Sequence, residues 1–134
     1  MKISKVIYVE PIPKGRPRAT IQGGHVFIYT PKKTVVAENM IRQALLGEGA
    51  FGEGIPLRLE ATFFRQRPKS LPKRVTLPVT KPDLSNYLKT LEDALEKFVY
   101  RDDSQIVDLH VKKRFGSPPR IELTISSEDI DEGN

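Results

Sequence analysis

The stretch Leu57-Arg58-Leu59-Glu60-Ala61-Thr62-Phe63-Phe64-Arg65 decides the fold. Its apolar side chains Leu57, Leu59, Ala61 and Phe63 recur at every second position. A period of two puts them on one face of a β-strand. A strand with a single apolar face belongs to a sheet that is covered on one side and wetted on the other. The rest of the chain must supply the cover and the neighbouring strands.

Toward the C-terminus, Arg65 to Lys81 holds six bases, no acid, and Pro68, Pro72 and Pro78. The prolines exclude a helix, so this reads as a long basic loop of the functional kind. Asp83–Phe98 then reads as a helix. At 100° per residue, Leu84, Tyr87, Leu88, Leu91, Ala94, Leu95 and Phe98 share an arc of about 120° that faces a core. Asp83, Asn86, Lys89, Thr90, Asp93 and Lys97 share the opposite face. Val107, Leu109, Val111 and Phe115 alternate, as do Ile121, Leu123 and Ile125, and the turn-forming Gly116–Pro119 between them predicts a hairpin.

Toward the N-terminus, Ile3–Val9 reads as a strand, followed by the stiff Pro11-Ile12-Pro13-Lys14-Gly15-Arg16-Pro17-Arg18. Val26–Thr30 reads as a strand with Gly23-Gly24 as its turn. Pro31 suits a helix start after Thr30 as cap, and Val35, Val36, Met40, Ile41, Ala44 and Leu45 follow at helical spacing up to Gly47–Gly54. The sum is an α+β fold: a mostly antiparallel sheet with two helices covering one face. Residues 1–125 form one domain, and the acidic residues 126–134 read as a disordered tail.

Composition narrows the function. The 134 residues carry a net charge of +5, and with Glu128, Asp129, Asp131 and Glu132 set aside the remainder carries +9. A basic body attracts polyanions, nucleic acid foremost, although basicity alone also admits an RNA-binding protein. There is no cysteine, which excludes disulfides and thiolate metal sites and fits a reducing cytoplasm. The two histidines, His25 and His110, make a zinc site improbable and read as packed or solvent-facing; a bound metal would be a hard cation on carboxylates. No apolar run is long enough to cross a membrane.

Each acid read singly has an ordinary explanation. Asp83, after a proline at a helix start, caps or meets the helix dipole. Asp93 pairs with Lys89 or Lys97 on the helix surface. Asp102-Asp103 lies in a turn, where adjacent acids repel unless a cation offsets them.

Together they form a pattern. Lys81-Pro82-Asp83-Leu84-Ser85-Asn86-Tyr87-Leu88-Lys89, then Glu92-Asp93-Ala94-Leu95, then Asp102-Asp103-Ser104-Gln105-Ile106, resembles the signature of the RusA family of Holliday junction resolvases. The pattern runs approximately P-D-x-D-N-x-x-K, D-A-L, D-D-x-Q. Pro13–Arg18 and Tyr29-Thr30-Pro31 resemble the family as well. The resemblance implies a small homodimeric endonuclease, often of phage or prophage origin, that cuts four-way junctions in recombination and repair in the cytoplasm of a bacterial or phage-infected cell. It implies Mg²⁺, for which Mn²⁺ can substitute, held by Asp83, Asp102 and Asp103, with Asp93 a further candidate, and Lys89 as a catalytic or phosphate-contacting base. Lys14, Arg16, Arg18, Lys73, Arg74 and Lys81 are the candidate DNA contacts, and no membrane is implied.

One position departs: Ser85 stands where the pattern has its second acid. A neutral hydroxyl is a poor substitute for a carboxylate ligand. The alternatives are a member that binds junctions with reduced or no cleavage, or a metal nuclease acting on other branched DNA.

The chemistry suits the residue types. Hydrolysis of a phosphodiester builds negative charge on an anion, and a hard cation neutralises that charge and acidifies an attacking water. A lysine steadies the developing charge, basic loops hold flanking phosphates, and a junction is recognised by shape. A straight helix over Asp83–Phe98 would separate its ends by about 22 Å. Asp83 would then meet Asp102 and Asp103 either through a bend in the chain or across a two-fold axis from a second copy, and the second arrangement is the one expected.

Overall fold

The computed structural model describes residues 1–128. The elements run β1 (Lys2–Ile7), β2 (Arg18–Gln22), β3 (His25–Tyr29), α1 (Lys32–Ala44), β4 (Leu57–Arg65), α2 (Leu84–Leu95), a 3₁₀ turn (Asp103–Gln105), β5 (Ile106–Phe115) and β6 (Arg120–Ser127). The main sheet has the order β1-β6-β4-β5, and β2 and β3 form a separate two-stranded ribbon. The fold is α+β, as expected. Both β1–β6 and β4–β6 are antiparallel, and β4–β5 is parallel.

β4 is central, and Leu57, Leu59, Ala61 and Phe63 are all buried. Each full burial of a Leu or Phe side chain contributes about 1.5–3 kcal/mol. The core adds Ile3 and Ile7 of β1, Ile121, Leu123 and Ile125 of β6, Ala37 and Ile41 of α1, and Tyr87, Leu91, Ala94 and Leu95 of α2. The other face of the sheet is polar, with Ser4 and Thr124 hydroxyls 3.2 Å apart.

The expected hairpin between the last two strands does not form. β5 and β6 lie on opposite sides of β4, so the Gly116–Pro119 link passes over the end of that strand. The close pass explains the glycine: a Cβ on Gly116 would lie 2.5 Å from Phe64 Cδ1. Parallel pairing of β4 with β5 requires a long crossover, and this one carries α2. Alternation revealed both strands but not which strand each would join. It also misplaced one residue: the register shift at Leu57/Arg58 leaves Val107 between the Ile106 and Asp108 pairs and exposed, while Leu109 keeps the face of its partner Leu59 but is 43% exposed on the edge strand.

Several boundaries move. β1 ends at Ile7, where Val9 N–H bonds back to Ile7 O in a turn. The segment read as loop and one strand around Gly23-Gly24 holds two strands, β2 and β3. Thr30 does not cap α1; Pro31 takes that place, without a side-chain cap bond. α2 stops at Leu95, three residues short of Phe98. Glu96 turns extended and Lys97 takes a left-handed φ of 66°, with its N–H on Tyr100 O. Thr90, placed on the polar face, is 2% exposed because α1 packs beside α2. β6 continues through Ser127, and Glu128 N–H bonds Pro56 O at 2.7 Å. The rest of the acidic tail, 129–134, lies outside the described residues.

Candidate active site

The first two strands of the sequence are joined by a proline-rich loop that is wedged between the two helices. Gly15 N–H donates to Thr34 Oγ1 at 3.0 Å, and Lys14 N–H donates to Asn86 O at 3.1 Å. A Cβ on Gly15 would lie 2.7 Å from the Pro31 ring, so only glycine permits this approach. The loop therefore aims Lys14 inward. Its Nζ lies 2.9 Å from both Glu38 Oε2 and Asp93 Oδ2. Burial works against that charge, but the hydrogen bonds to Asp93 and Glu38 outweigh it and raise the lysine pKa.

The end of α2 receives the Asp102–Asp103 segment. The left-handed Lys97 turns the chain back so that Asp103 faces the last turns of the helix. Tyr100 Oη donates to Asp103 Oδ1 at 2.5 Å, and Asp103 N–H donates to Glu96 Oε2 at 3.1 Å. Gln105 fixes the turn from behind. Its side-chain oxygen accepts N–H bonds from Arg101 and Asp102, and its amide nitrogen donates to Gly52 O and Ile55 O, all at 3.0 Å. Asp102 accepts Ser104 N–H at 2.8 Å, which caps the turn and lowers its pKa.

Four acids result in one neighbourhood: Glu92, Asp93, Glu96 and Asp103, with Lys89 Nζ 3.9 Å from Asp93 Oδ1. Burial raises the pKa of Asp103, and the fields of Glu96 and Asp93 add to it, against the Tyr100 hydrogen bond. Burial also raises that of Glu92, helped by the charge of Asp103. Tyr100 is pushed far above the usual phenol range by burial and by Asp103, so it stays protonated and donating.

The comparisons with known proteins bear on this neighbourhood. A family model described as "Endodeoxyribonuclease RusA" matches residues 9–126. The chain belongs to the RusA endodeoxyribonuclease family. It is 35% identical over 136 aligned residues to the "Uncharacterized protein YqaN" of Bacillus subtilis (strain 168), covering 92% of this chain and 94% of that protein. It is 39% identical over 77 residues to the "Crossover junction endodeoxyribonuclease rusA" of Lactococcus phage r1t, covering 57% and 58% respectively.

Within this RusA-family chain, the structure brings Lys89, Asp93 and Asp103 together. Asp83 is not among them. It occupies the exposed N-cap position of α2 without a side-chain cap bond, and the 12-residue helix sets it about 18 Å from the Asp103 end. Asp102 is exposed on the far side of its capping turn. Arg16, Arg18, Lys73, Arg74 and Lys81 are exposed on loops and on the ribbon, whereas Lys14 is committed to Glu38 and Asp93. Both histidines are exposed, with His110 Nε2 2.8 Å from Asp108 Oδ1.

Glu92, Glu96 and Tyr100 were not singled out as site residues from sequence. The available signal was the Glu92/Glu96 spacing, a like-charge i,i+4 pair that weakens a helix unless something offsets it.

The donor set consists of oxygens alone, which suits a hard cation. Among the described residues no three acids or histidines are spaced to cage a metal within one chain. Mg²⁺ requires less than a cage: one or two carboxylates, with waters and substrate phosphate completing its shell.

Proposed function

We propose that the chain is a Mg²⁺-dependent endonuclease that resolves four-way DNA junctions as a homodimer, with Mn²⁺ able to substitute. The observation that carries this reading is the apposition of Asp103 and Glu92. Tyr100 Oη and the Glu96 carboxylate hold Asp103 against the last turns of α2, beside Glu92 and Asp93, with Lys89 Nζ 3.9 Å from Asp93 Oδ1, in a chain of this family.

Asp103, with Glu92 or Asp93, would hold the cation, and Asp83 and Asp102 are the further candidates that the family pattern marks. When bound, the metal supplies charge neutralisation at the phosphate and a more acidic water. The chain's own groups do the rest. Lys89, whose side chain is 58% exposed, can reach a phosphate oxygen and stabilise developing charge. Tyr100 and Glu96 fix the Asp103 carboxylate by its Oδ1 and its backbone N–H. Lys14 ties Asp93 to Glu38, and Lys89 and Arg42 add positive charge 3.9 and 3.8 Å from the same carboxylates, so that the cluster survives without a bound cation. Arg16, Arg18, Lys73, Arg74 and Lys81 would hold flanking phosphates. A two-fold dimer presents two such sites to two symmetry-related strands of a junction.

The test uses a labelled synthetic four-way junction beside a linear duplex of the same sequence, each with Mg²⁺, Mn²⁺ or EDTA. Paired symmetric nicks on the junction alone, and only with metal, are expected. Junction binding without nicks at any metal concentration would favour the non-catalytic alternative that Ser85 raises. Equal cutting of the linear duplex would replace the junction with a general DNA substrate.

A further inference from the structure

The β2–β3 ribbon has two unlike faces. Its register pairs Ala19 with Ile28 and Ile21 with Val26, so these four share one side. Arg18 with Tyr29, Thr20 with Phe27 and Gln22 with His25 share the other. The first side carries no polar side chain, yet Ile21, Val26 and Ile28 are 74%, 65% and 75% exposed. A lone two-stranded ribbon is marginal in water, and one that presents a wholly apolar side needs a cover.

A second unpartnered apolar feature lies on the same chain. Val9, Ile12, Val36 and Met40 line an open groove of about 500 Å³ between the N-terminal loop and α1, rimmed by Lys32 and Lys33. Val36 and Met40 are nearly half exposed, and no ribbon residue lines the groove. The ribbon enters α1 directly at Thr30-Pro31, and its tip at Gly23-Gly24 is its far end from that helix.

We propose that the ribbon is an exchanged arm: in a two-fold dimer, the Ile21/Val26/Ile28 side of one subunit seats in the Val36/Met40 groove of the other. This deepens the homodimer reading above and rests on it. Two observations favour a second copy as the occupant. Arm and groove are complementary in chemistry and occur once each per chain, so a two-fold axis satisfies both together. The apolar side of the arm bears no charge, so it brings no ion of its own into a groove whose lining already includes Glu10, Lys32 and Lys33. Seated this way, the arm turns Arg18, His25, Phe27 and Tyr29 outward.

The absence of cysteine makes the test direct. Ile21→Cys and Met40→Cys are made as separate variants, one carrying a size tag, mixed to allow subunit exchange, and treated with a short bismaleimide. A covalent heterodimer in the mixture, weak or absent with either variant alone, is expected. Sedimentation of the wild-type chain runs beside it. An Ile21→Asp/Ile28→Asp variant and a Val36→Asp variant, with folding checked by circular dichroism, should each weaken dimerisation about 100-fold or more. A wild-type dimer that gives no heterodimer and tolerates both sets of aspartates overturns the arm-in-groove contact and leaves the dimer standing. Coupling of Ile21→Cys to itself as efficiently as in the mixture, or coupling within one chain of the double variant, also overturns it. A wild-type chain that stays monomeric at tens of micromolar overturns the contact and the dimer reading together.

Discussion

Lys14 reaches from the N-terminal loop to Asp93 on α2, with 2.9 Å between Nζ and Oδ2. The same nitrogen bonds Glu38 on α1, so one cation ties the loop to both helices at the edge of the acid cluster. Lys14→Met should lower stability by about 1–3 kcal/mol in urea unfolding, because it leaves two partly buried carboxylates with only their longer contacts to Lys89 and Arg42. The pKa of Lys14 is raised in the fold, so its contribution is fully present below the ordinary lysine value of 10.5 and is lost as pH climbs through the higher folded value. Wild type and Lys14→Met should therefore converge in stability at strongly alkaline pH. A constant difference across that range would contradict the ion-pair account.

Asp103 and Glu92 have the opposite consequence at neutral pH. Both hold protons more tightly in the fold than in the open chain. Between about pH 4 and their raised values the folded state binds the extra protons, so stability falls as pH rises through that window. Asp103→Asn/Glu92→Gln should gain stability over wild type at pH 7 and lose that gain near pH 4. Added Mg²⁺ should raise the stability of wild type at pH 7 by about 1.4 kcal/mol at ten times its Kd, and leave the double variant unmoved. An equal response from both would place the cation elsewhere.

Gln105 makes four hydrogen bonds through one side chain while only 7% exposed. Gln105→Ala leaves two part-buried N–H and two part-buried carbonyl groups without this partner, at a cost of about 2–4 kcal/mol. Gln105→Glu keeps the accepting oxygen but sets a second acceptor against Gly52 O and Ile55 O, so it should lose those two contacts to repulsion while keeping the other two. Cleavage should fall in both variants through misplacement of Asp103. Chemical denaturation set beside junction cutting reads both effects, and full activity in either variant would release Asp103 from dependence on this brace.

Ser85 is exposed in the first turn of α2. An acid there meets the positive end of the helix, so Ser85→Asp should add about 0.3–1 kcal/mol to stability. If Asp83 takes part in metal binding, the same change should lower the Mg²⁺ concentration needed for half-maximal cutting. An unchanged metal requirement would assign Asp83 to the helix end alone.

Arg16 and Arg18 are exposed and make no ion pair among the described residues. Replacing both with alanine should weaken junction binding and reduce the slope of log affinity against log salt by nearly 2 if each neutralises one phosphate. Fluorescence anisotropy over a salt series measures that slope. An unchanged slope would direct the DNA to the Arg65–Lys81 loop.

The sequence by itself determined the α+β class, the central strand and the family, because these depend on local period and on residue order. Leu57, Leu59, Ala61 and Phe63 reveal their buried face without any neighbour, and the Asp83–Lys89 and Asp102–Gln105 motifs carry their own spacing. Only the tertiary structure decided that β5 joins β4 in parallel rather than β6 in a hairpin. The pairing of non-local strands follows the crossover through α2, which no window of sequence contains. It alone decided the membership of the acid cluster. Lys97 turns left-handed and returns Asp103 onto Glu92, Asp93 and Glu96, while the rigid length of α2 holds Asp83 apart. A side chain's class is written in the sequence, but its neighbours are set where the chain bends, and here the bends fall at Gly15, Lys97 and Gly116.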